Sequence, residues 1–443
     1  MKQFFKSKLF KLIWSLGLAL ILFLICPDCF SKTTIAILLG VELLLINGSS
    51  FISRLPWLTH ISRVLVGCLF IFSGFIKAND TLGFSYKLEE YVEVFKADSG
   101  LDFFEMFAHI SLPLAMIVCA SEIILGIFLL IGYKKMLTLW LLLAQIVFFT
   151  FLTFYSACYN KVTHCGCFGD FLQLKPWESF WKDIALMVLI TLLFAGKDNI
   201  KEFFSPMLSA TLSGIGVILS IWFPIYTYRN LPIFDFRPYA VGMNINKNME
   251  KGPTYKDPVY ETKMVYEKIA NNAEKKEMTN DEYMASKIWE DTLVWQFDTM
   301  VTNLVAEAVN PPKITDFNIN SLEGDNVTEL MLHEEAPVFW LLMYDLAKTE
   351  SDEELHSEIN DFYKLAQQSK VKMVALTASG PNDIDKFKHD HNALYDFVTV
   401  DATVLKTMLR SNPGLMLVKN GTIMMKWHHN NFPTFSEAIK KAN

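Results

Sequence analysis

Long apolar runs fill the first half of the chain and alternate with short polar turns, whereas the second half mixes polar and apolar positions. A helix needs about 20 mostly apolar residues to cross the hydrocarbon core of a membrane. Seven runs approach or reach that length, and the second, third and sixth are the shortest. We predict membrane-spanning helices at 9–26, 33–48, 61–77, 111–132, 136–157, 181–196 and 207–227.

Basic residues in the turns predict the orientation of these spans. Lysines precede the first span, and Lys or Arg residues occupy the turns between spans two and three, four and five, and six and seven. If all seven segments span, these turns share one side, which the positive-inside rule assigns to the cytoplasm. No small-x-small cleavage site follows the first run, so we expect it to remain as a membrane helix. The expected location is a bacterial inner (cytoplasmic) membrane, with the N-terminus cytoplasmic and the C-terminal half periplasmic.

Composition and charge support a membrane protein that carries a water-soluble domain. The chain is 52% apolar with 36 Phe and a mean hydropathy of +0.26, which is too apolar for a soluble protein of this size. Residues 1–230 carry 18 Lys+Arg against 15 Asp+Glu, a net of +3, while residues 231–443 carry 22 against 32, a net of −10. An acidic polar half repels phosphate, so we expect contact with a lipid bilayer and none with nucleic acid.

Four of the seven cysteines form two close pairs, Cys26 with Cys29 and Cys165 with Cys167, both in predicted outer loops. Such short spacings favour redox-active thiols, and a strained Cys-Gly-Cys disulfide is an oxidising one. The pairs could form a thiol-to-disulfide relay, two static disulfides in an oxidising compartment, or a zinc site that includes His164. We favour the relay, with all four cysteines as catalytic residues and no metal.

Polar residues within the spans are further candidates, because ionisable groups in hydrocarbon usually mark function or pairing. Glu122 lies near the middle of the fourth span, Gln145 near the middle of the fifth, and Arg63 at the start of the third. Glu122 could carry protons or bind a quinone carbonyl, with Gln145 and Arg63 as further cofactor-binding residues. It could equally form a structural bond with Arg63 or Gln145. Cys68 and Cys119, also within spans, are interpreted as small buried apolar residues.

Two motifs carry a resemblance to known families. The stretch from His164 to Asp170, between two membrane helices, resembles the Cys-x-Cys-Phe-Gly loop of the MauE proteins of methylamine utilisation. Residues 63–77, and Glu122 with Gly126 and Gly132, look like the first two helices of the broader DoxX family, and the layout resembles DoxX proteins of the Bacteroidota. The resemblance covers roughly residues 60–196.

This resemblance implies a four-helix membrane bundle. For MauE-like members it implies help in forming or isomerising disulfides in an exported partner, a role likened to that of vitamin K epoxide reductase and its quinone. For other DoxX members it implies a respiratory or sulfur-oxidation subunit.

Two segments outside the spans precede the last domain. Residues 85–110 alternate apolar and charged positions at helical spacing, which predicts an amphipathic helix on the membrane surface or capping the bundle. Residues 228–310 contain several prolines and a charged stretch, and we interpret them as a small β-rich or linking segment.

From Pro311 onward the pattern predicts strands at 337–344, 371–377 and 398–400, helices at 352–368, 383–389 and 434–441, and a hairpin over 415–427 with an Asn-Gly turn. This order resembles thioredoxin-like proteins, and Asn412-Pro413 matches that family's cis-proline site. No cysteine follows Cys167, so this domain cannot exchange disulfides by itself, and Pro413 is expected to bind an extended partner strand. His428 and His429 are interpreted as surface residues.

The sequence therefore predicts an α-helical membrane bundle of about seven transmembrane helices with a DoxX/MauE-like four-helix core, plus an α/β thioredoxin-like extracytoplasmic domain. The expected parts are an N-terminal hairpin, a four-helix core, a seventh helix, an extracytoplasmic linker and the thioredoxin-like domain, at 1–50, 60–196, 207–227, 228–310 and 311–443.

The function that we favour is a cell-envelope thiol/disulfide oxidoreductase or disulfide-assembly factor acting on exported proteins, with a quinone as the one cofactor considered. The alternatives are a non-enzymatic scaffold, whose outer domain recruits an envelope partner complex, and a DoxX-type respiratory subunit.

Overall fold

The structure is a computed structural model, and it describes residues 55–159, 161–162, 166–349 and 352–441. The predicted N-terminal hairpin at 1–50, with the first two spans, lies outside these residues. The described chain begins with seven helices, all long except α3, whose bounds are α1 Pro56–Asn79, α2 Thr81–Ser99, α3 Glu105–His109, α4 Ser111–Ile131, α5 Lys135–Tyr159, α6 Pro176–Ala195 and α7 Pro206–Arg229.

Four of the described helices, α1, α4, α5 and α7, are long and apolar enough to cross a membrane. They coincide with the third, fourth, fifth and seventh predicted spans, and so confirm that this part of the chain is a membrane protein. The sixth predicted span corresponds to α6, which is not one of these four. Its first half carries Glu178, Lys182 and Asp183, which interrupt the apolar run.

The helices α1, α4, α5 and α6 form a bundle, and α7 packs on its outside against α1 and α4. Apolar side chains from all four helices fill the bundle core, among them Val66, Leu129, Leu142 and Ile190. The turn between α4 and α5 meets the segment between α6 and α7, where Lys135 Nζ donates to the carbonyl of Lys197 at 3.0 Å. These basic turns therefore lie at one end of the bundle, as predicted.

The crossing of α1 and α4 depends on two glycines. A Cβ added to Gly126 would lie 2.7 Å from the backbone oxygen of Gly67, and one added to Gly67 would lie 2.6 Å from Leu130. Small residues allow such close approach of two membrane helices, which supplies packing energy where lipid gives no hydrophobic drive between them.

The amphipathic helix predicted at 85–110 is present as α2, followed by the short helix α3. Leu88 and Tyr91 on its apolar face are buried, and the hydroxyl of Tyr91 lies 2.7 Å from Ser156 Oγ on α5. The helix therefore caps the end of the bundle opposite the basic turns, which we call the outer end. The C-terminal domain that contacts this end is called the outer domain.

The predicted linker at 228–310 contains more structure than a linker. It holds α8 Ile245–Met249, β1 Val259–Lys268, β2 Asn271–Thr279, α9 Asn280–Ser286 and β3 Trp295–Ala306. The strands form an antiparallel sheet of order β2-β1-β3, which confirms the β-rich interpretation. Tyr239 and Ile245 from the same segment are buried in the core of the following domain. The predicted domain start at 311 is therefore too late.

The outer domain is built around a mixed five-stranded sheet. Its elements are α10 Thr328–Leu332, β4 Val338–Met343, α11 Glu353–Gln368, β5 Lys372–Thr377, α12 Pro381–His391, β6 Asp396–Thr399, α13 Ala402–Met408, β7 Gly414–Lys419, β8 Thr422–His428 and α14 Phe435–Lys440. The strand order is β6-β5-β4-β7-β8. The strands β4, β5 and β6 are parallel, β7 runs antiparallel to β4, and β8 runs antiparallel to β7.

The order of these elements is the predicted one, with the short helices α10 and α13 as additions. All six residues of the central strand β4 are buried, and alternate side chains enter two cores, one on each face of the sheet. The β7–β8 turn has positive φ at Asn420 and Gly421, 47° and 68°, as a type I′ turn requires.

Substitution of the glycines tests the helix crossing. We expect Gly126→Ala to destabilise the bundle by ~1–3 kcal/mol, because the new methyl group meets the backbone of α1 at Gly67 and Ile71 as well as the Ile71 side chain, and the backbone cannot rotate away. Gly214 on α7 is the control, since a Cβ there meets no atom within 4 Å. Gly214→Ala should leave stability unchanged or raise it by up to ~1 kcal/mol. The measurement is thermal unfolding in detergent, and equal unfolding temperatures for the two variants would contradict the assignment.

Candidate functional site

The structure describes one of the four cysteines that we predict to be catalytic. Cys26, Cys29 and Cys165 lie outside the described residues, and only the backbone of Cys167 is described, within the 3₁₀ turn Gly166–Phe168. The relay between the two pairs therefore stays a prediction. The surroundings of the loop that carries Cys167 are nevertheless well defined.

The loop from Gly166 to Asp170 rests on the outer ends of the membrane helices. Phe168 is buried, with its ring 5.8 Å from that of Phe72 on α1 and 5.3 Å from Lys182 Nζ on α6. A Cβ on Gly166 would contact Lys87 of α2 at 3.0 Å, so α2 closes over the other side. The Cys-Gly-Cys loop is thus held between the bundle and its cap.

A cavity of about 170 Å³ lies beside this loop, where the membrane part meets the outer domain. Gly166, Gly169 and Asp170 of the loop line one side, and the ends of α1 and α2 line another. The segment from Pro232 to Arg237 and the side chain of Arg410 close it from the outer domain. Its volume is enough for several waters. The charged residues of its wall are Lys77, Asp80, Lys87, Asp170, Arg237 and Arg410.

Arg410 connects the outer domain to the loop. Its Nε lies 2.9 and 3.0 Å from the two carboxylate oxygens of Asp80, and its Nη2 lies 3.5 Å from Asp170 Oδ2. Asp80 also accepts from the backbone N–H of Gly83 at 3.0 Å, and so caps the start of α2. The carboxylate of Asp80 therefore holds the start of α2 through Gly83 and the outer domain through Arg410.

Burial and charge act in opposite directions on these carboxylates. Burial disfavours the ionised form of Asp80, but the attraction of Arg410 and Arg237 is larger and holds its pKa below the usual value. Burial raises the pKa of Asp170, and Arg410 only partly opposes that shift. Asp170 is thus the less firmly ionised partner of Arg410.

A second ionic cluster fastens the segment after α7 to the outer domain. Arg237 Nε lies 2.7 Å from Asp235 Oδ1, and Lys426 Nζ of β8 lies 2.9 Å from Asp235 Oδ2. Arg237 Nη1 also donates to the carbonyl of Thr407 at 3.1 Å. Burial disfavours the ionised form of Asp235, but its two cationic partners outweigh that effect and lower its pKa to about 2.

Glu122 has a different partner from those expected. Its Oε1 lies 2.7 Å from Lys77 Nζ, which also donates to Ser73 Oγ at 2.8 Å, and both charged side chains are buried. Neither a Glu122–Arg63 nor a Glu122–Gln145 bond is present in the described part of the chain. Lys77 lies at the outer end of α1, and its long side chain reaches the middle of α4. Glu122 therefore forms a buried structural pair, with Lys77 as its partner in place of Arg63 or Gln145.

The three predicted cofactor-binding residues do not converge. Arg63 Nε donates to the carbonyl of Leu129 at 2.8 Å, near the end of α4 and about 10 Å along the helix from Glu122. Gln145 Nε2 donates to Ser121 Oγ at 3.2 Å. The space beside Glu122 has a volume of about 30 Å³, which suits one or two waters and is too small for a quinone ring.

Pro413, the predicted partner-binding residue, follows a cis Asn412–Pro413 peptide bond and is buried. The side-chain amide of Asn412 donates to the carbonyl of Asp345 at 2.9 Å. Close by, the hydroxyls of Tyr344 and Tyr86 lie 3.2 Å apart across the boundary with α2. This face of the outer domain therefore contacts the membrane part of its own chain, and strand binding by Pro413 stays a prediction.

Two assignments change, those of His428 and Cys68. His428 is buried rather than on the surface, because the end of β8 packs against the end of α7, where Asn430 Nδ2 donates to the carbonyl of Arg229 at 2.9 Å. Cys68 is an exposed free thiol on the outside of the bundle, whereas Cys119 is buried as expected.

Sequence reasoning missed Asp80, Asp170 and Arg410 as functional residues. Asp170 stands inside the motif that carries the resemblance, and Asp80 lies three residues after the predicted span at 61–77, so both offered a local signal. Arg410 offered none, because its partner Asp80 is 330 positions away in the chain.

Part of the chain is similar to known proteins. Residues 55–196 match the family model of the methylamine utilisation protein MauE, which covers α1 to α6 and the Cys-Gly-Cys loop. The chain is also 26% identical over 215 residues to Protein TlpB of Flavobacterium psychrophilum. That match covers 46% of this chain and 55% of TlpB, so it spans about half the length of the relative.

One solved structure resembles a smaller part of the chain. It is described as a disulfide switch in BsSco, a member of the Sco family of cytochrome c oxidase assembly proteins. The match is 12% identical and covers 28% of this chain and 88% of that chain, with a TM-score of 0.23. A likeness at this score carries no argument about fold or function. The family match to MauE supports a MauE-like membrane domain in this chain.

The buried His428 predicts an acid-sensitive stability. Burial lowers its pKa from 6.5 to about 4, and His429 adds to the shift. Between those pH values the unfolded chain binds more protons than the folded one, so stability should fall as the pH drops from about 6.5 towards 4, by at most ~3 kcal/mol from this group. His428→Gln should flatten the pH dependence of the unfolding midpoint. The control His389→Gln, at a side chain 91% exposed, should not; equal slopes for the two variants would refute the assignment.

Proposed function

We propose that this chain is a cell-envelope thiol/disulfide oxidoreductase or disulfide-assembly factor that acts on exported proteins. Cys165 and Cys167 form the redox pair nearest the membrane, and Cys26 and Cys29 exchange with it. The protein lies in a bacterial inner membrane with its N-terminus in the cytoplasm. Its C-terminal domain, to which we assign a thioredoxin-like fold, lies in the periplasm.

The observation that carries this proposal is the setting of the Cys-Gly-Cys loop. The loop lies at the end of the bundle opposite the basic turns, beside a cavity with several charged residues in its wall, and the outer domain contacts it through Arg410. Nearby cations favour a thiolate, which is the attacking form of a cysteine. The match of residues 55–196 to the MauE family and the similarity to TlpB support the same assignment.

The proposed exchange balances as follows. A client thiolate attacks one sulfur of an oxidised Cys165–Cys167 pair, so that a mixed disulfide forms and the other loop sulfur leaves as a thiolate. A second client thiolate then attacks the client sulfur of the mixed disulfide and releases the loop. The client loses two electrons and two protons, and the loop gains them. A disulfide between Cys26 and Cys29 restores the loop by the same exchange and becomes reduced in turn.

A quinone is the proposed acceptor of these electrons, as the resemblance to MauE-like proteins implies. The described space beside Glu122 does not fit a quinone ring, so we assign no step to Glu122, Gln145 or Arg63 with a quinone.

A scaffold that recruits an envelope partner complex is the second candidate. The three-stranded sheet favours it, because its β1 and β3 strands expose several large apolar side chains, namely Val259, Tyr260, Met300, Leu304 and Val305. Exposed apolar patches on a folded domain often mark a protein contact. In that case the loop disulfides would only brace the structure.

The redox role predicts that Cys165→Ser leaves identifiable exported proteins reduced in cells, because the loop disulfide can no longer form. Cys68→Ser is the matched control, since it removes an exposed free thiol from the same bundle. The measurement is the redox state of exported proteins after acid trapping and alkylation, read by mass spectrometry.

In the unaltered protein the same trapping should find a mixture of states among Cys26, Cys29, Cys165 and Cys167, including cross-links between the two pairs. Fully closed and unvarying disulfides, with client redox states unchanged in Cys165→Ser, would overturn the redox role and favour the scaffold.

A quinone acceptor predicts that quinone co-purifies with the full-length protein in mild detergent and that reduced loop cysteines are reoxidised when quinone is added. We expect Glu122→Gln to leave this reoxidation rate within about twofold, because Glu122 is bonded to Lys77 and has no room for the ring. A loss of reoxidation in Glu122→Gln at unchanged unfolding temperature would show that Glu122 contributes to the quinone site.

A further inference from the structure

The outer domain contacts the Cys-Gly-Cys loop through a buried charge. The Arg410 residue is 7% exposed, and its guanidinium bridges Asp80 at the end of α1 and Asp170 in the loop. It lies so close to the start of α2 that a Cβ on Gly83 would be 2.6 Å from Nη2. A guanidinium placed in this way needs both carboxylates, because a buried charge without partners is costly.

Asp170 stands three residues after Cys167, so the two Cα atoms are at most ~11 Å apart even in an extended chain. A charge at that distance, across a medium of effective dielectric constant about 20, changes a proton equilibrium by roughly tenfold. Asp170 is therefore close enough to affect the thiol of Cys167, and Arg410 lies 3.5 Å from the carboxylate of Asp170.

On the basis of the proposed function, we propose that Arg410 is a positioning residue for the redox loop. Through Asp170 it holds the loop against the bundle, and it sets the local charge that the thiols of Cys165 and Cys167 experience. The outer domain, which has no cysteine of its own, takes part in thiol exchange through this arginine.

The proposal makes opposite predictions for two substitutions of one contact. Arg410→Gln leaves the carboxylates of Asp80 and Asp170 without their common cation, so a thiolate becomes less favourable. Asp170→Asn removes a negative charge and leaves Arg410 in place, so a thiolate becomes more favourable. If Arg410 only packed the loop in place, both substitutions would change the reactivity of the loop thiols in the same direction, because either one breaks the contact and frees the loop.

Other charges near the loop must be kept constant in this comparison. Besides Asp80, Asp170 and Arg410, the cavity wall carries Lys77 and Lys87 from the bundle and its cap, and Arg237 from the segment after α7. Lys77 is bonded to Glu122, Lys87 to Glu90 and Arg237 to Asp235. None of these groups is altered in the variants.

The test is the rate at which iodoacetamide alkylates Cys165 and Cys167 in the reduced, full-length protein in lipid nanodiscs, followed by peptide mass spectrometry from about pH 5 to 9. At neutral pH we expect a ~3- to 10-fold slower reaction in Arg410→Gln and a ~3- to 10-fold faster one in Asp170→Asn, with the pH profiles displaced in opposite directions.

Lys406→Gln is the matched control. Lys406 lies in the same interface, 4.6 Å from the Tyr86 ring centroid and 5.4 Å from that of Tyr344, but it forms no ion pair with Asp80 or Asp170 in the described structure. The alkylation rates of Cys165 and Cys167 in Lys406→Gln should stay within about twofold of those in the unaltered protein. If Arg410→Gln fails to fold, Arg410→Lys keeps the charge and loses the two-pronged contact, and its rate should remain near that of the unaltered protein.

Rates that move in the same direction in Arg410→Gln and Asp170→Asn would overturn the proposal, as would an equal effect of Lys406→Gln. The result is separable from the test of the proposed function. Opposite shifts in alkylation with unaltered client redox states in Cys165→Ser would keep the positioning role and reject the oxidoreductase.

Discussion

The arrangement of the described chain depends on keeping the guanidinium of Arg410 ionised in a place with little water. A buried cation is tolerated only where carboxylates lie beside it, and both of these carboxylates, Asp80 and Asp170, belong to the membrane part. Neither half of the protein satisfies this charge alone. The contact therefore selects one docking of the outer domain on the bundle, and it places that domain next to the Cys-Gly-Cys loop.

A second buried charge pair, inside the bundle, is subject to the same need for neutralisation. Lys77 and Glu122 are both buried in the bundle and neutralise each other at 2.7 Å, about one helical turn along α4 from Gly126. The pair fixes the rotation of α1 against α4, and the glycines at their crossing allow the close separation of the two helices. Lys77 lines both the cavity at the loop and the small space beside Glu122. The polar interior of the bundle is thus joined to the junction by a single side chain.

Features that depend on local sequence were predictable. The length of an apolar run decides whether a helix can cross a bilayer, and this was enough to find α1, α4, α5 and α7. Likewise, the run that became β4 and the Asn-Gly turn between β7 and β8 are determined by residues close in sequence. The helix α13 was missed because it is short and is buried on one side only.

Features that depend on distant partners were not predictable. The partner of Glu122 depends on the rotation of two helices, so the choice among Lys77, Arg63 and Gln145 could not be made from spacing. The domain boundary was placed too late because Tyr239 and Ile245 enter a core whose other residues lie much further along the chain. His428 looked exposed in its strand, and the end of α7 covers it.

Charge balance explains why cations of the outer half gather at the junction. The half of the chain after residue 230 carries a net charge of −10, and the membrane part offers it Asp80 and Asp170. Without cations between them, Asp80, Asp170 and Asp235 would repel one another in a region where low water content strengthens the repulsion. Arg410 and Arg237 lie in this region, and each is bonded to a carboxylate. Because these pairs are buried, salt screens them far less than it screens pairs on the surface. Ion pairs therefore determine how the outer domain docks on the bundle, and the docking should be insensitive to changes in ionic strength.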